Sequence, residues 1–535
     1  MGLERIIPPR IGPDGRVSYY STTSPPDDSC AVCYVMPDHI VPVVFVPGIM
    51  GSNLMDENGE AVWLVDSTWT VASEWGGALP EKRRRLLDPA KTFVYREGIL
   101  PTGTALSDEE LRRRGWGEVG AMSYGDFLPW LEQHLNDYLA KDGYGRKGLR
   151  AGLIRHVLKP DLPLLKYEEV AASYHFRFPV HAVGYNWLQP NQDSAKRLKE
   201  RVAEFIEYYR KRQFRCDKVI LVTHSMGGLV ARYFTEEDEG ADDVLGVVHG
   251  VMPATGAAAA YRRVKAGTEG AAGWVLGANA AEVTAVFATA PGALQLLPGK
   301  DYGTGWLKVR DFDRVVSLPV QDPYDEIYLQ RGKWWGLIND RFLNPLDVHR
   351  TQIESDWLVF NETVNELVKP FHSKISRKYH RNTYAFYGDD ADTKTWGDVV
   401  WKRAIGRDVG ARPPKLVPYI HDLLGGQIQW DHGYGRLGVS IERGAPGDSA
   451  YFVLREATES GDGTVPARSG KAPVGCPGVR YCVPFKDFGH EAAFKNDARP
   501  GITNWARNDE RRLFTLWSIT RIASEYQTSA SRSPR

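Results

Sequence analysis

Residues 218–234 read KVILVTHSMGGLVARYF and set a serine where nucleophilic chemistry can be done. Residues 219–222 form a β-branched apolar run, short enough to be a fully buried strand. Thr223-His224-Ser225-Met226-Gly227 breaks the run, and a helical pattern begins at Gly228. Strand, sharp turn and helix in that order make a nucleophile elbow, which presents a serine hydroxyl on a strained backbone. Small residues must flank such a serine because neighbouring atoms crowd it, and Gly227 and Gly228 supply them on one side. Thr223 stands where the G-x-S-x-G pattern expects glycine. An ordinary strand-to-helix turn is the bland alternative, but all three parts together favour Ser225 as a nucleophile.

A serine nucleophile needs a base, an acid to orient the base, and donors for the developing oxyanion. Ser460-Gly461-Asp462-Gly463-Thr464-Val465-Pro466 holds Asp462 in a Gly-flanked turn behind a strand candidate at 451–454. A carboxylate there would accept an imidazole N–H, fix its tautomer and stabilise the imidazolium. Asp389 and Asp390, after a strand at 384–387, are rival acids. The last strand, 479–484, is followed by Phe488-Gly489-His490-Glu491 and then by a helix carrying Leu513, Leu516, Trp517 and Ile519. His490 in that loop can reach back over the serine. The chain order Ser225, Asp462, His490 is the α/β-hydrolase order of nucleophile, acid and base. His224 is held in the elbow and is badly placed to be the base. The first strong strand, 41–46, runs into Pro47-Gly48-Ile49-Met50-Gly51-Ser52-Asn53-Leu54. The backbone N–H groups of Ile49 and Met226 are therefore the expected oxyanion donors.

The elements that must position these residues can be read around them. Buried strands near 41–46, 180–185, 219–222, 244–249, 384–387 and 479–484 alternate with amphipathic helical stripes. One stripe runs through Phe127, Trp130, Leu131, Leu135, Tyr138 and Leu139, another through Leu198, Val202, Phe205 and Tyr209. This alternation predicts the α/β class: a mostly parallel, doubly wound sheet with large cap or lid insertions. We divide the chain into an N-terminal arm (1–40), a first part of the α/β-hydrolase core (41–256), a cap or lid insertion (257–380), and a second part of the core (381–535) carrying Asp462 and His490. Residues 144–178 are mixed in pattern and read as a further insertion. Trp63, Trp69 and Trp75, followed by Lys82-Arg83-Arg84-Arg85, fit either a lipid-facing flap or a packed excursion with a solvated basic turn.

Composition excludes several classes. The 535 residues carry 67 Lys plus Arg against 67 Asp plus Glu, so no global field draws the protein to nucleic acid or anionic lipid. Sixteen Trp require large packed surfaces or apolar ligand surfaces to sit on. Five Cys are too few for a disulfide scaffold. Cys30 and Cys33 have the spacing of half a zinc site, but no second pair completes one. They read as structural thiols, with a local disulfide open to them in an oxidising compartment. Residues 1–17 have no apolar h-region, and 270–297 is interrupted by Asn279, Glu282 and Pro291, so neither a secretory signal nor a membrane span is expected. A soluble, cytosolic protein, with any export leaderless, is the resulting expectation. The chemistry calls for no cofactor and no metal.

Four stretches together resemble the lecithin:cholesterol acyltransferase-like branch of the α/β-hydrolases: Pro47-Gly48-Ile49-Met50-Gly51-Ser52, Tyr185-Asn186-Trp187, His224-Ser225-Met226-Gly227 and Gly461-Asp462-Gly463-Thr464-Val465-Pro466. In that branch the Gly-Asp-Gly-Thr-Val-Pro stretch carries the triad acid, which the resemblance assigns to Asp462. The likeness runs patchily over about 41–500 and lapses within 144–178 and 300–380. It implies ester cleavage or acyl transfer on phospholipids or other lipids, with the substrate met at a membrane surface. The Pro253-Ala254-Thr255-Gly256-Ala257 stretch and the missing signal peptide also resemble antibacterial lipase effectors of bacterial type VI secretion, which implies a cognate inhibitor protein as partner. A lipid O-acyltransferase, or a non-catalytic scaffold of the same fold, stands as the alternative.

Overall fold

The computed structural model describes residues 4–7, 9–14, 16–20, 30–33, 36–66, 73–137, 148–269, 277–404, 420–442, 449–495 and 510–532. Its centre is a six-stranded sheet built from β1 (Val43–Val46), β2 (Val180–Ala182), β3 (Val219–His224), β4 (Val244–Gly250), β5 (Thr383–Gly388) and β6 (Val479–Phe485). Across the sheet the order is β6-β5-β4-β3-β1-β2, and every neighbouring pair is parallel. Burial on both faces explains why β1 to β5 run nearly without an exposed residue, whereas the edge strand β6 exposes Arg480 and Pro484. Alternate side chains serve opposite faces. Val44, Val46 and Leu221 enter one core, while Val43, Phe45, Ile220 and Val222 enter the other.

Helices close both cores. Helix α1 (Asn191–Lys211) buries Leu198, Val202, Phe205 and Tyr209, the stripe expected from 3.6-residue spacing. Helix α2 (Gly227–Glu236) follows the elbow and is buried along most of its length. Helix α3 (Glu510–Arg532) covers the opposite face with Leu513, Leu516, Trp517 and Ile519. The stripe beginning at Phe127 is a helix over Phe127–Leu135; Tyr138 and Leu139 lie outside the described residues.

Strand order reverses between β1 and β3, since the chain leaves β1 for β2 on one side and returns through β3 to β4, β5 and β6 on the other. Loops leaving adjacent strands at such a switch point diverge and open a crevice at the carboxyl ends. Here the diverging loops are Pro47 onward and Ser225 onward. The register pairs Val46 with Thr223, so the two loops start level with each other.

A second six-stranded sheet lies in the excursions. It takes Leu307–Asp311 and Arg314–Leu318 from before β5, and Val399–Arg403, Ile428–Asp431, Arg436–Ser440 and Ser449–Leu454 from after it. It is thus assembled from both sides of the boundary placed at residue 380, and the strand at 449–454 belongs to it and not to the central sheet. Trp334 stacks on Phe452 with ring centroids 4.4 Å apart and meets Trp401 edge-on. The tryptophan content is spent largely on such interiors. Trp116, Trp187, Trp306, Trp334, Trp401 and Trp517 are fully buried.

The Trp-rich flank resolves the same way. Trp63 and Trp75 are buried against each other, and Trp63 also meets Trp187. The basic run after them is not a solvated turn throughout: Arg83 is buried and donates to the carbonyls of Ala78 and Trp75, and Arg84 donates to Thr289 Oγ1. Of the two readings, the described residues fit the packed excursion; Trp69 lies outside them. Of the N-terminal arm, Glu4–Ile7 and Cys30–Cys33 pair as a two-stranded parallel ribbon, and the side chains of Cys30 and Cys33 are outside the described set. Cys216, Cys476 and Cys482 are free thiols. Among the described residues no helix is long and apolar enough to cross a membrane.

Candidate active site

Ser225 leaves β3 with φ at 51°, in the left-handed region that an L side chain enters only when its surroundings enforce it. The enforcing contacts are glycines. A Cβ on Gly227 would sit 2.4 Å from the Pro47 carbonyl oxygen and 2.5 Å from that of Val46. A Cβ on Gly228 would strike Met252, and one on Gly48 would stand 3.0 Å from Ser225 Cβ and from His224 Nδ1. The oxyanion loop and the elbow therefore meet backbone to backbone. Thr223 is accommodated because its side chain turns away into the sheet, where its hydroxyl lies 2.8 Å from His249 Nδ1 on β4.

The three residues expected to act together are brought together. His490 Nε2 lies 2.8 Å from Ser225 Oγ, and His490 Nδ1 lies 2.8 Å from Asp462 Oδ2. His490 stands in a short turn after β6, and its backbone N–H donates to the Asp462 carbonyl at 2.8 Å. Asp462 follows the short strand Glu459–Gly461 and packs on the end of β5, where a Cβ on Gly388 would lie 2.7 Å from its own Cβ. Its Oδ1 accepts the N–H groups of Thr464 and Val465 at 3.0 and 2.7 Å, leaving Oδ2 for the imidazole.

The rival acids are occupied elsewhere. Asp389 accepts the Ser460 hydroxyl, and Asp390 accepts the N–H groups of Asp392 and Asp487 and the Thr393 hydroxyl. Asp390 thereby anchors the loop that carries His490, a supporting role with no local signal in the sequence.

Burial by itself would lower the pKa of His490, but the charge and hydrogen bond of Asp462 outweigh it, and the result lies above the ordinary 6.5. A histidine serving as a general base works only when neutral. We therefore expect kcat/KM for a soluble ester to rise with pH through a midpoint above 6.5 and then level off. A measured midpoint at or below 6.5 would contradict the pairing with Asp462.

Several backbone groups of the loop after β1 are held by hydrogen bonds. The Pro47 carbonyl accepts from Tyr185 Oη at 2.9 Å, and the Gly48 N–H donates to Tyr124 Oη at 3.1 Å. The Gly48 carbonyl accepts from the Gly51 N–H, and the Met50 carbonyl from Trp63 Nε1. Among the described residues the N–H groups of Ile49 and Met226 have no protein acceptor. Donors preset and unpaired are what a developing oxyanion requires. The sequence reading missed Tyr124 and underused Tyr185. Nothing local in the sequence marks the reach of Tyr124 across 76 residues back to Gly48.

Ser225, Asp462 and His490 are only 4%, 1% and 7% exposed. The reacting atoms are therefore largely shielded from bulk water. Among the described residues no cluster of three or more His, Cys, Asp or Glu is placed to hold a metal ion.

A parallel sheet with its nucleophile elbow and oxyanion loop at the switch point defines an α/β-hydrolase. The family model for lecithin:cholesterol acyltransferase matches residues 170–382, which include the elbow. A chain of a crystallised Tle4–Tli4 complex superposes with a TM-score of 0.71 at 29% identity, covering 90% of this chain and 98% of that one. The phospholipase PlaB of Legionella pneumophila also matches, at 11% identity over 61% of this chain and 89% of that one, but its TM-score of 0.15 supports no argument. No curated protein matches the chain. Over residues 170–382 the chain is similar to the lecithin:cholesterol acyltransferase family, and the protein is an α/β-hydrolase of the esterase, lipase and acyltransferase class.

Proposed function

We propose that the protein is a serine lipase acting on acyl esters of lipids, phospholipids foremost, through Ser225, His490 and Asp462. His490 takes the Ser225 proton as Oγ attacks the acyl carbonyl, and the N–H groups of Ile49 and Met226 receive the oxyanion. His490 then protonates the departing alcohol, and water resolves the acyl-enzyme by the same steps in reverse order. The observation that carries this reading is the unbroken run Ser225 Oγ, His490 and Asp462 at 2.8 Å per step, beside two unpaired backbone donors.

The lipid substrate rests on the acyltransferase family match, now that the Trp-rich flank is accounted for as packing. That same match supports a second reading, in which an alcohol replaces water as acceptor. The structural relative was crystallised as a complex of two named components, Tle4 and Tli4. By that analogy we read this chain as an antibacterial effector held in check by a cognate inhibitor protein. Mass spectrometry of products from mixed phospholipid vesicles tests the substrate. Free fatty acid with lysolipid is expected; acylated acceptor without free acid would move the protein to the transferases. Turnover of a soluble ester with no lipid product would remove the lipid substrate.

A further inference from the structure

We infer that Tyr124 and His224 form a buried bridge that holds the oxyanion loop and the catalytic base in register, as positioning residues for the reaction proposed above. The bridge spans three segments far apart in sequence. The Gly48 N–H donates to Tyr124 Oη at 3.1 Å, Tyr124 Oη lies 2.7 Å from His224 Nδ1, and His224 Nε2 lies 3.1 Å from the carbonyl oxygen of His490. The His490 carbonyl can only accept, so Nε2 of His224 carries the hydrogen and Nδ1 is left as the acceptor. Tyr124 then gives its proton to Nδ1 and keeps its oxygen free to accept from Gly48. Every donor points the same way along the chain, and each group has one partner on each side.

Three features make this a device for alignment. All its members are shielded: Tyr124 and His224 are 2% and 3% exposed, so water cannot substitute for a lost partner. Burial, the largest cause, and the neighbouring His490 hold the His224 pKa down at about 3, so the ring stays neutral through the working pH range. The clearances are also tight. A Cβ on Gly51 would lie 2.7 Å from Tyr124 Oη, and a Cβ on Gly48 would lie 3.0 Å from His224 Nδ1. The ends of the bridge are the informative part. One end is the N–H of Gly48, whose peptide is fixed on its other side by Tyr185 at the Pro47 carbonyl, immediately before the proposed donor Ile49. The other end is the backbone of the base itself. His224 is adjacent to Ser225, so nucleophile, base and oxyanion loop are tied at a single pair of side chains that never touch substrate.

The test uses the full-length protein with a soluble p-nitrophenyl ester, a fluorophosphonate probe and thermal unfolding. Tyr124→Phe keeps the ring and removes both hydrogen bonds. His224→Leu removes the ring's two bonds, and His224→Gln keeps a donor and an acceptor in similar places. The bridge predicts a loss of about tenfold or more in kcat for Tyr124→Phe and His224→Leu, with KM within about twofold, because the loss falls on transition-state stabilisation. His224→Gln should recover part of the loss. The double variant should be hardly worse than either single one, because the two residues act as a unit. The thermal midpoint of Tyr124→Phe should fall by only a few degrees. A kcat for Tyr124→Phe within threefold of wild type, or losses that multiply in the double variant, would overturn the inference, as would a loss matched by the fraction unfolded. Failure of the lipase reading is separable, because wild type would then neither turn over an ester nor take the probe at Ser225.

Discussion

Replacing Ser225 by alanine is expected to lower kcat on a soluble ester by about 10⁶-fold while leaving the fold intact. The size follows from serine hydrolases generally, where loss of the nucleophile removes the whole covalent route and leaves only binding and the oxyanion donors. Among the described residues, the Ser225 hydroxyl has one hydrogen-bond partner, His490 Nε2 at 2.8 Å. The left-handed backbone at 225 is enforced by Gly227 and the Val46–Pro47 carbonyls, and alanine meets the same constraint as serine. The thermal midpoint should therefore barely move. Ester turnover with fluorophosphonate labelling checks the first point, and thermal unfolding checks the second. If Ser225→Ala still takes the probe, or turns over within about a hundredfold of wild type, the nucleophile lies elsewhere.

Asp462→Asn should be nearly as severe, with a loss of about 10⁴-fold, and the geometry says why. Oδ1 of Asp462 accepts two backbone N–H groups, from Thr464 and Val465. In the variant the amide oxygen must stay with those two donors, so the NH₂ group is turned toward His490 Nδ1. Nδ1 then becomes an acceptor and the ring proton moves to Nε2, facing Ser225. An imidazole in that tautomer cannot take the serine proton. Because the amide is isosteric with the carboxylate, folding is retained, which separates this loss from a structural one. The loss should ease as pH rises and hydroxide competes for the serine proton, whereas a misfolded variant would stay inactive. A pH–rate profile of Asp462→Asn with wild-type thermal stability is the measurement; activity within tenfold of wild type would remove Asp462 from the proposed triad.

Much of this arrangement was legible along the chain because the chemistry is local where it is strictest. A nucleophile elbow needs a buried strand, a serine at positive φ and small residues packed against it, all within one short run. Residues 218–234 contain every part, and Thr223 departs from the pattern only where its side chain can turn into the sheet. The Gly-flanked turn of Asp462 and the loop after the last strand are legible for the same reason. Buried parallel strands are apolar on both faces, so β1, β3 and β4 could be read from runs of Val, Ile, Leu and Phe.

What only the tertiary structure decided depends on contacts between segments far apart in sequence. Periodicity shows where a chain is buried and is silent on what it is buried against. The strand at 449–454 read as core, yet it pairs with Val399–Arg403 in a second sheet assembled from both sides of residue 380. Trp63 and Trp75 could as well have faced lipid as each other, since an aromatic ring satisfies either surface, and the fold turned them inward. Asp462 is the acid facing His490 because its turn brings Oδ2 to 2.8 Å from Nδ1, whereas Asp389 is turned to the Ser460 hydroxyl and Asp390 to the N–H groups of Asp392 and Asp487. Tyr124 carried no mark at all: its value lies in a hydroxyl that meets Gly48 and His224 across the switch point, where strand order brings the loops after β1 and β3 side by side.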